Sequence, residues 1–254
     1  MATHSPAERL LIGLGIMEPE EIDLEAIAFS QGAFVKRRPM DQCEATIVGN
    51  DRRAIIAVNS LSIAQRQRFS IGHEIGHWIL HRNRLLFCTA KDIGNFRRDA
   101  LDPERQADDF ASDLLLPTFM FEPVVRQIRS LSLQALDDLS GRFRASRTAT
   151  LLKAVKCNRF PVVVFRDGLD GRRWSWPSRV VSPRWRTRND LDPESFAHEL
   201  LHGGGTGSTP ARKVGADAWF EFRGCQDEEV REQSFVSVPG EVITIVTVPA
   251  SGAV

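Results

Sequence analysis

Apolar residues along this chain follow two spacings, and the switch between them marks out its elements. Between residues 101 and 117, Ala107, Phe110, Ala111, Leu114 and Leu115 recur at i, i+3, i+4, i+7 and i+8, which lines one face of a helix. Asp102 can cap that helix, Pro103 suits its first position, and Pro117 stops it. A second helix is predicted over Arg68–His81, a third from Ser5-Pro6 through Leu14, and a fourth over Ile22–Gln31 with Leu24, Ile27 and Ala28 facing inward. Short β-prone runs at 33–39, 44–48 and 54–58, separated by Pro39 and by Asn50-Asp51, predict a small antiparallel sheet. From Phe119 to Lys156 the helical period returns in three short pieces broken near Ser132 and Ser146, a helix-turn-helix cadence. Its last helix carries Arg147, Lys153 and Lys156, which suits either DNA contact or plain packing. Beyond Phe160 the pattern turns strand-like at Val162–Phe165, Ala218–Phe222, Phe235–Val238 and Val242–Val248. The expectation is an α+β chain in three parts, 1–118, 119–157 and 158–254.

The helix over Arg68–His81 contains His73-Glu74-Ile75-Gly76-His77, an H-E-x-x-H. At 3.6 residues per turn the two imidazoles stack on one face and can reach one Zn²⁺ at about 2.0–2.1 Å. Glu74 then lies beside the position left open to water, where a general base is needed. A third ligand comes from the helix that starts at Pro103. Glu104 extends its apolar stripe inward, and a lone buried carboxylate costs several kcal/mol unless it is paired or bound to metal. Asp108, one turn later, can accept the free ring N–H of a ligating histidine and fix its tautomer. His81, at i+4 from His77, is expected to support the site. Taken as a ligand with His77, it would leave no base, because Trp78 follows His77. Zn²⁺ is the expected metal, with Mn²⁺ a substitute in vitro. The oxyanion donor is the gap, because the chain has no tyrosine and His81 or an arginine would have to serve.

A second H-E-x-x-H lies at His198-Glu199-Leu200-Leu201-His202, but Gly203-Gly204-Gly205 follows at once and ends any helix there. Asp217 and Glu221 fall in a strand-like segment and Asp227, Glu228 and Glu229 in a solvated run, so no amphipathic helix supplies a third ligand. His198 and His202 are read as a chance match.

Lys plus Arg and Asp plus Glu both number 33, and this even balance argues against a chain-wide nucleic-acid surface. Locally the balance fails. From Gly171 to Asn189 the chain has Arg172, Arg173, Arg179, Arg184, Arg186 and Arg188 with Trp174, Trp176 and Trp185 interleaved, and no acid. Cations with aromatic platforms are what sequence-tolerant binding of single-stranded nucleic acid uses, and the alternative is a turn region whose indoles pack inward. No apolar stretch approaches 18 residues and no charged segment leads into an apolar run, so neither a membrane span nor an export signal is expected, and the cytoplasm is the predicted location. Cys43, Cys88, Cys157 and Cys225 lack paired metal spacing and suit reduced thiols.

The run Arg66–His77 (R-Q-R-F-S-I-G-H-E-I-G-H) and Glu104–Pro117 (E-x-x-A-D-x-F-A-S-D-L-L-L-P), with Pro19–Ala28 and Arg53–Asn59 upstream, resembles the ImmA/IrrE metallopeptidases over roughly the first 120 residues. The resemblance implies a zincin-like, gluzincin-type peptidase domain with His73, His77 and Glu104 as metal ligands and Glu74 as general base. It also implies a protease that cuts a helix-turn-helix transcriptional repressor, releasing stress-response, DNA-damage-type or mobile-element genes. The longer C-terminal half is more similar to the IrrE-like branch, which implies a GAF-like α/β sensor domain. The competing class is a regulatory protein that binds nucleic acid or a repressor through a structural metal site. Glu74 favours the enzyme, since a structural site has no need of a base.

Overall fold

The computed structural model describes residues 4–82, 102–205 and 207–253. Cys88 lies outside the described residues. The chain divides into two compact units, one of Met1–Val124 with Asp138–Ala149 and one of Val125–Asp137 with Thr150–Val254.

In the first unit, α1 (Pro6–Gly13) starts at a Ser5 capping box closed by Glu8, and α2 (Leu24–Ser30) starts where the Asp23 side chain accepts from the Glu25 and Ala26 amides. Strands β1 (Ala33–Arg38), β2 (Ala45–Gly49) and β3 (Ala54–Asn59) form a sheet in the order β1-β3-β2. The all-antiparallel sheet expected from the sequence is corrected here, because β1 runs parallel to β3 and only β2 is antiparallel to it. The link from β1 to β2 crosses the end of β3 instead of closing a hairpin, and Asn59 holds it there. Its side-chain amide donates to the Met40 carbonyl at 2.9 Å and its oxygen accepts from the Met40 amide at 3.2 Å. That clamp holds the link after β1 at the end of β3, which lies between its two neighbours. At the other end, Asn50 Oδ1 accepts from the Arg52 and Arg53 amides and tightens the β2–β3 turn.

Helix α3 (Ala64–Leu80) packs on β2 and β3 and also against α4 (Pro103–Leu115). Ile71 and Ile75 of α3, Ile56 and Val58 of β3, and Ala107, Phe110, Ala111 and Leu114 of α4 are all buried in this unit's core. The three helices α5 (Thr118–Gln127), α6 (Leu133–Phe143) and α7 (Arg147–Lys156) break where the sequence predicts, with Ser132 and Ser146 hydroxyls accepting from Ala135 and Ala149. Lys153, however, is buried, so α7 does not present the three-cation face that DNA contact would use.

The second unit holds a five-stranded antiparallel sheet in the order β5-β4-β8-β7-β6, from β4 (Val162–Gly168), β5 (Gly171–Pro177), β6 (Arg212–Gly215), β7 (Glu229–Val238) and β8 (Glu241–Thr247). Val162 to Phe165 and Val242 to Val246 are buried on both faces, as their apolar runs, broken only by Thr244, lead one to expect. The strand expected at Ala218–Phe222 is instead a 3₁₀ turn over Ala216–Ala218 followed by one bridge from Phe220 to Thr187. Trp219 and Phe220 are core anchors at 0% and 1% exposure, and their apolar run reflects that anchoring, not strand pairing. β5 escapes sequence reading because its arginines hide the alternation. Among the described residues no helix is long and apolar enough to cross a membrane.

Candidate metal centre

The centre is built by two helices of the first unit. His73 and His77, one turn apart on α3, are 0% and 2% exposed, and their Nε2 atoms stand 3.0 Å apart. Asp102 caps α4 through the Glu104 amide at 3.0 Å and so fixes where the first turn begins. Glu104 then brings Oε2 to 3.3 Å from His73 Nε2 and Oε1 to 3.4 Å from His77 Nε2.

The approach of α4 to α3 depends on two glycines that the sequence reading passed over. A Cβ on Gly76 would meet Ala107 Cα and Phe110 Cβ at 3.1 Å, and one on Gly72 would meet Ala111 Cβ at 3.3 Å. With glycine at both positions the helices close up, and a carboxylate from one reaches the imidazoles of the other. The signal was present in the sequence, as the repeated glycine of Gly72-His-Glu-Ile-Gly76-His.

The donor set fits a small cation. Ligands held at about 2.0–2.2 Å in a tetrahedron lie roughly 3.4 Å from one another, and the three separations here are 3.0, 3.3 and 3.4 Å. Among the described residues this is the one group of three such side chains whose ligand atoms gather within 4.8 Å. The electrostatics agree. Burial opposes a charge on His73, yet hydrogen bonds to Asp108 and Glu104 and the nearby Glu74 outweigh it and raise its pKa to about 9. For Glu104 burial is likewise outweighed, by hydrogen bonds to His73 and His77, and its pKa is lowered far below the usual carboxylate range. The cluster therefore holds a proton more tightly than free imidazole does, and a divalent cation satisfies the same acceptors.

Asp108 Oδ1 lies 2.9 Å from His73 Nδ1, as predicted for an orienting carboxylate. His81, 7% exposed, lies with Nδ1 at 3.1 Å from His77 Nδ1 and Nε2 at 3.1 Å from Gln106 Oε1. Both of its ring nitrogens are committed, so His81 is not the oxyanion donor that sequence reasoning held open. Glu74 is fully buried, and among the described residues neither of its carboxylate oxygens has a hydrogen-bond partner. Burial, offset in part by His73 and reinforced by Glu104, raises its pKa to about 7.

The second H-E-x-x-H falls on α8 (Phe196–His202), a helix of 7 residues. Its imidazoles lie 4.3 Å apart by ring centroids, yet among the described residues no third ligand joins them. The Arg/Trp stretch is largely consumed by folding. Arg172 binds Asp167 at 2.6 Å, Arg173 binds Asp170 at 2.7 Å, Arg184 approaches Glu228 at 3.5 Å and Arg188 binds Asp190 at 3.0 Å. Trp185 is a core residue, 4% exposed against Phe220 and Phe222, which corrects its reading as a stacking platform. Trp174 is half-buried, and Trp176 and Arg186 remain at the surface.

No curated protein matches this sequence. A solved structure of a Mycobacterium tuberculosis transcriptional regulator is similar at a TM-score of 0.60, with 14% sequence identity over 95% of this chain and 74% of that one. At that identity the likeness speaks for the fold alone. A peptidase family model, the IrrE N-terminal-like domain, matches residues 28–154, a span that takes in all of α3 and α4. Half of the chain, including every residue of the metal centre, thus matches one family, and the chain belongs to that family of IrrE N-terminal-like peptidase domains.

Proposed function

We propose that this chain is a metal-dependent endopeptidase, with zinc as the metal and manganese able to replace it in vitro, that cleaves a helix-turn-helix transcriptional repressor and so derepresses stress-response or mobile-element genes. The observation that carries this reading is Glu74. A fully buried carboxylate with neither oxygen partnered among the described residues costs stability, and a structural metal site has no use for one. His73, His77 and Glu104 would hold the cation, which when bound supplies Lewis acidity to the scissile carbonyl and activates water. Glu74 takes the proton of the attacking water on a carboxylate oxygen and returns it to the leaving amine nitrogen.

The repressor is sought first in the neighbouring gene. Purified protein is incubated with it and with Zn²⁺ or Mn²⁺, beside Glu74→Gln. Cleavage by the wild type and none by the variant supports the proposal. An intact repressor under both metals argues for the regulatory, non-catalytic alternative.

The C-terminal sheet is proposed as a GAF-like sensor, with single-stranded nucleic acid as its candidate activator. Exposed Trp176, with the Lys156 ammonium 5.8 Å from its ring, supports that reading. Trp174, Arg179 and Arg186 are the other members of the stretch left to serve it.

A further inference from the structure

We infer that Gln106 and His81 form a positioning relay that selects the metal-ready tautomer of His77. The inference rests on reading His73, His77 and Glu104 as a metal-binding set and needs no peptidase activity.

A hydrogen bond between two imidazole nitrogens contains one proton, and His77 Nδ1 and His81 Nδ1, 3.1 Å apart and buried, share such a bond. Which ring supplies the proton is decided further out. His81 Nε2 faces Gln106 Oε1 at 3.1 Å, and an amide oxygen only accepts. As a neutral ring, His81 therefore carries its proton on Nε2 and presents a bare Nδ1. His77 must donate from Nδ1, which leaves its Nε2 lone pair directed at His73 Nε2, 3.0 Å away, and at Glu104. With the amide reversed, every proton in the chain would reverse as well. His81 would donate to His77 Nδ1, and the proton of His77 would sit on Nε2, in the place of the cation.

One helix supplies the outer contact to each imidazole. α4 provides Glu104 as a ligand, Asp108 to the first imidazole and, through Gln106 and His81, the support for the second. Asp108 acts on His73 directly, whereas His77 is reached through an intervening ring. Gln106 is therefore a positioning residue and touches no reacting atom.

Gln106→Met keeps the length of the side chain and removes the acceptor, while Gln106→Glu keeps an acceptor-only group. Zinc affinity is measured by chelator competition and the ligand field by the Co²⁺ absorption spectrum, with the melting temperature of the metal-free protein alongside. Gln106→Met should bind zinc about ten- to a hundredfold more weakly, with an altered Co²⁺ spectrum and an unchanged metal-free melt. Gln106→Glu should bind within about threefold of wild type. Because the two residues act in series, Gln106→Met in a His81→Ala background should cost nothing further. Wild-type affinity in Gln106→Met, equal loss in Gln106→Glu, or additive losses in the double variant would overturn the relay alone. A wild-type protein that takes up neither metal would overturn the metal reading and the relay with it.

Discussion

Charge at the metal centre is carried by single side chains, and their protonation sets when a cation can enter. His73 has a pKa raised to about 9 in the metal-free protein, so at neutral pH a metal must displace one proton. Affinity should therefore rise about tenfold per pH unit toward pH 9 and level off above it, and competition titrations across that range check the slope. The sign for stability runs the other way. A histidine whose folded pKa lies above its unfolded value of 6.5 stabilises fully below that value and loses the contribution as pH rises through about 9. Glu74, raised from 4.5 to about 7, also makes the fold weaker as pH rises through that window. The metal-free protein should accordingly melt lower at about pH 9.5 than at about pH 6, and zinc should reverse the order. Glu74→Gln removes the base and no ligand. It should keep zinc, as measured by metal analysis, while peptide-bond cleavage falls at least about 10²-fold; His77→Ala should lose both.

At the scale of elements, the decisive fit is between α3 and α4. Alanine usually favours an exposed helix interior over glycine by about 1 kcal/mol, so propensity alone predicts that Gly76→Ala stabilises. The contacts at 3.1 Å are to Ala107 Cα and Phe110 Cβ, which move only if α4 moves. Gly76→Ala should therefore weaken zinc binding by more than it changes the metal-free melt, and Gly72→Ala, facing Ala111 Cβ at 3.3 Å, should do so less. Chelator competition beside thermal melts separates the two effects. Equal zinc affinity in both variants and wild type would mean that the helices do not need this close approach.

Across the molecule, the same residue type serves different ends according to where the fold puts it. Trp185 and Trp176 stand nine residues apart in one basic stretch, yet the first is 4% exposed and the second 38%. Trp185→Ala should destabilise by about 3–5 kcal/mol in a denaturant melt, and Trp176→Ala should leave the midpoint near wild type. If single-stranded nucleic acid binds here, the salt dependence should be shallow. Pairing of Arg172, Arg173, Arg184 and Arg188 with acids leaves few phosphate contacts, each worth a log–log slope of about −0.7. Fluorescence anisotropy with a labelled oligonucleotide reads both the slope and its loss in Trp176→Ala. No binding at micromolar protein would end the nucleic-acid reading.

The sequence by itself determined the local geometry. The spacing of His73 and His77, the cap at Asp102 and the stripe from Glu104 to Leu115 follow from helical periodicity and end chemistry, and these gave the metal set directly. Breaks at Ser132 and Ser146 were equally local and equally legible. What only the tertiary structure decided was pairing between distant segments. Nothing near β1 states that it will run parallel to β3, because that pairing is made with a strand 21 positions further on, Ala33 opposite Ala54. Nothing near Arg172 or Arg184 states that Asp167 and Glu228 will neutralise them, and nothing near Gln106 that its amide will meet His81 across 25 positions. Backbone preference and capping act over a few residues, whereas the burial of a charge or the tautomer of a ring depends on whichever group the fold brings alongside.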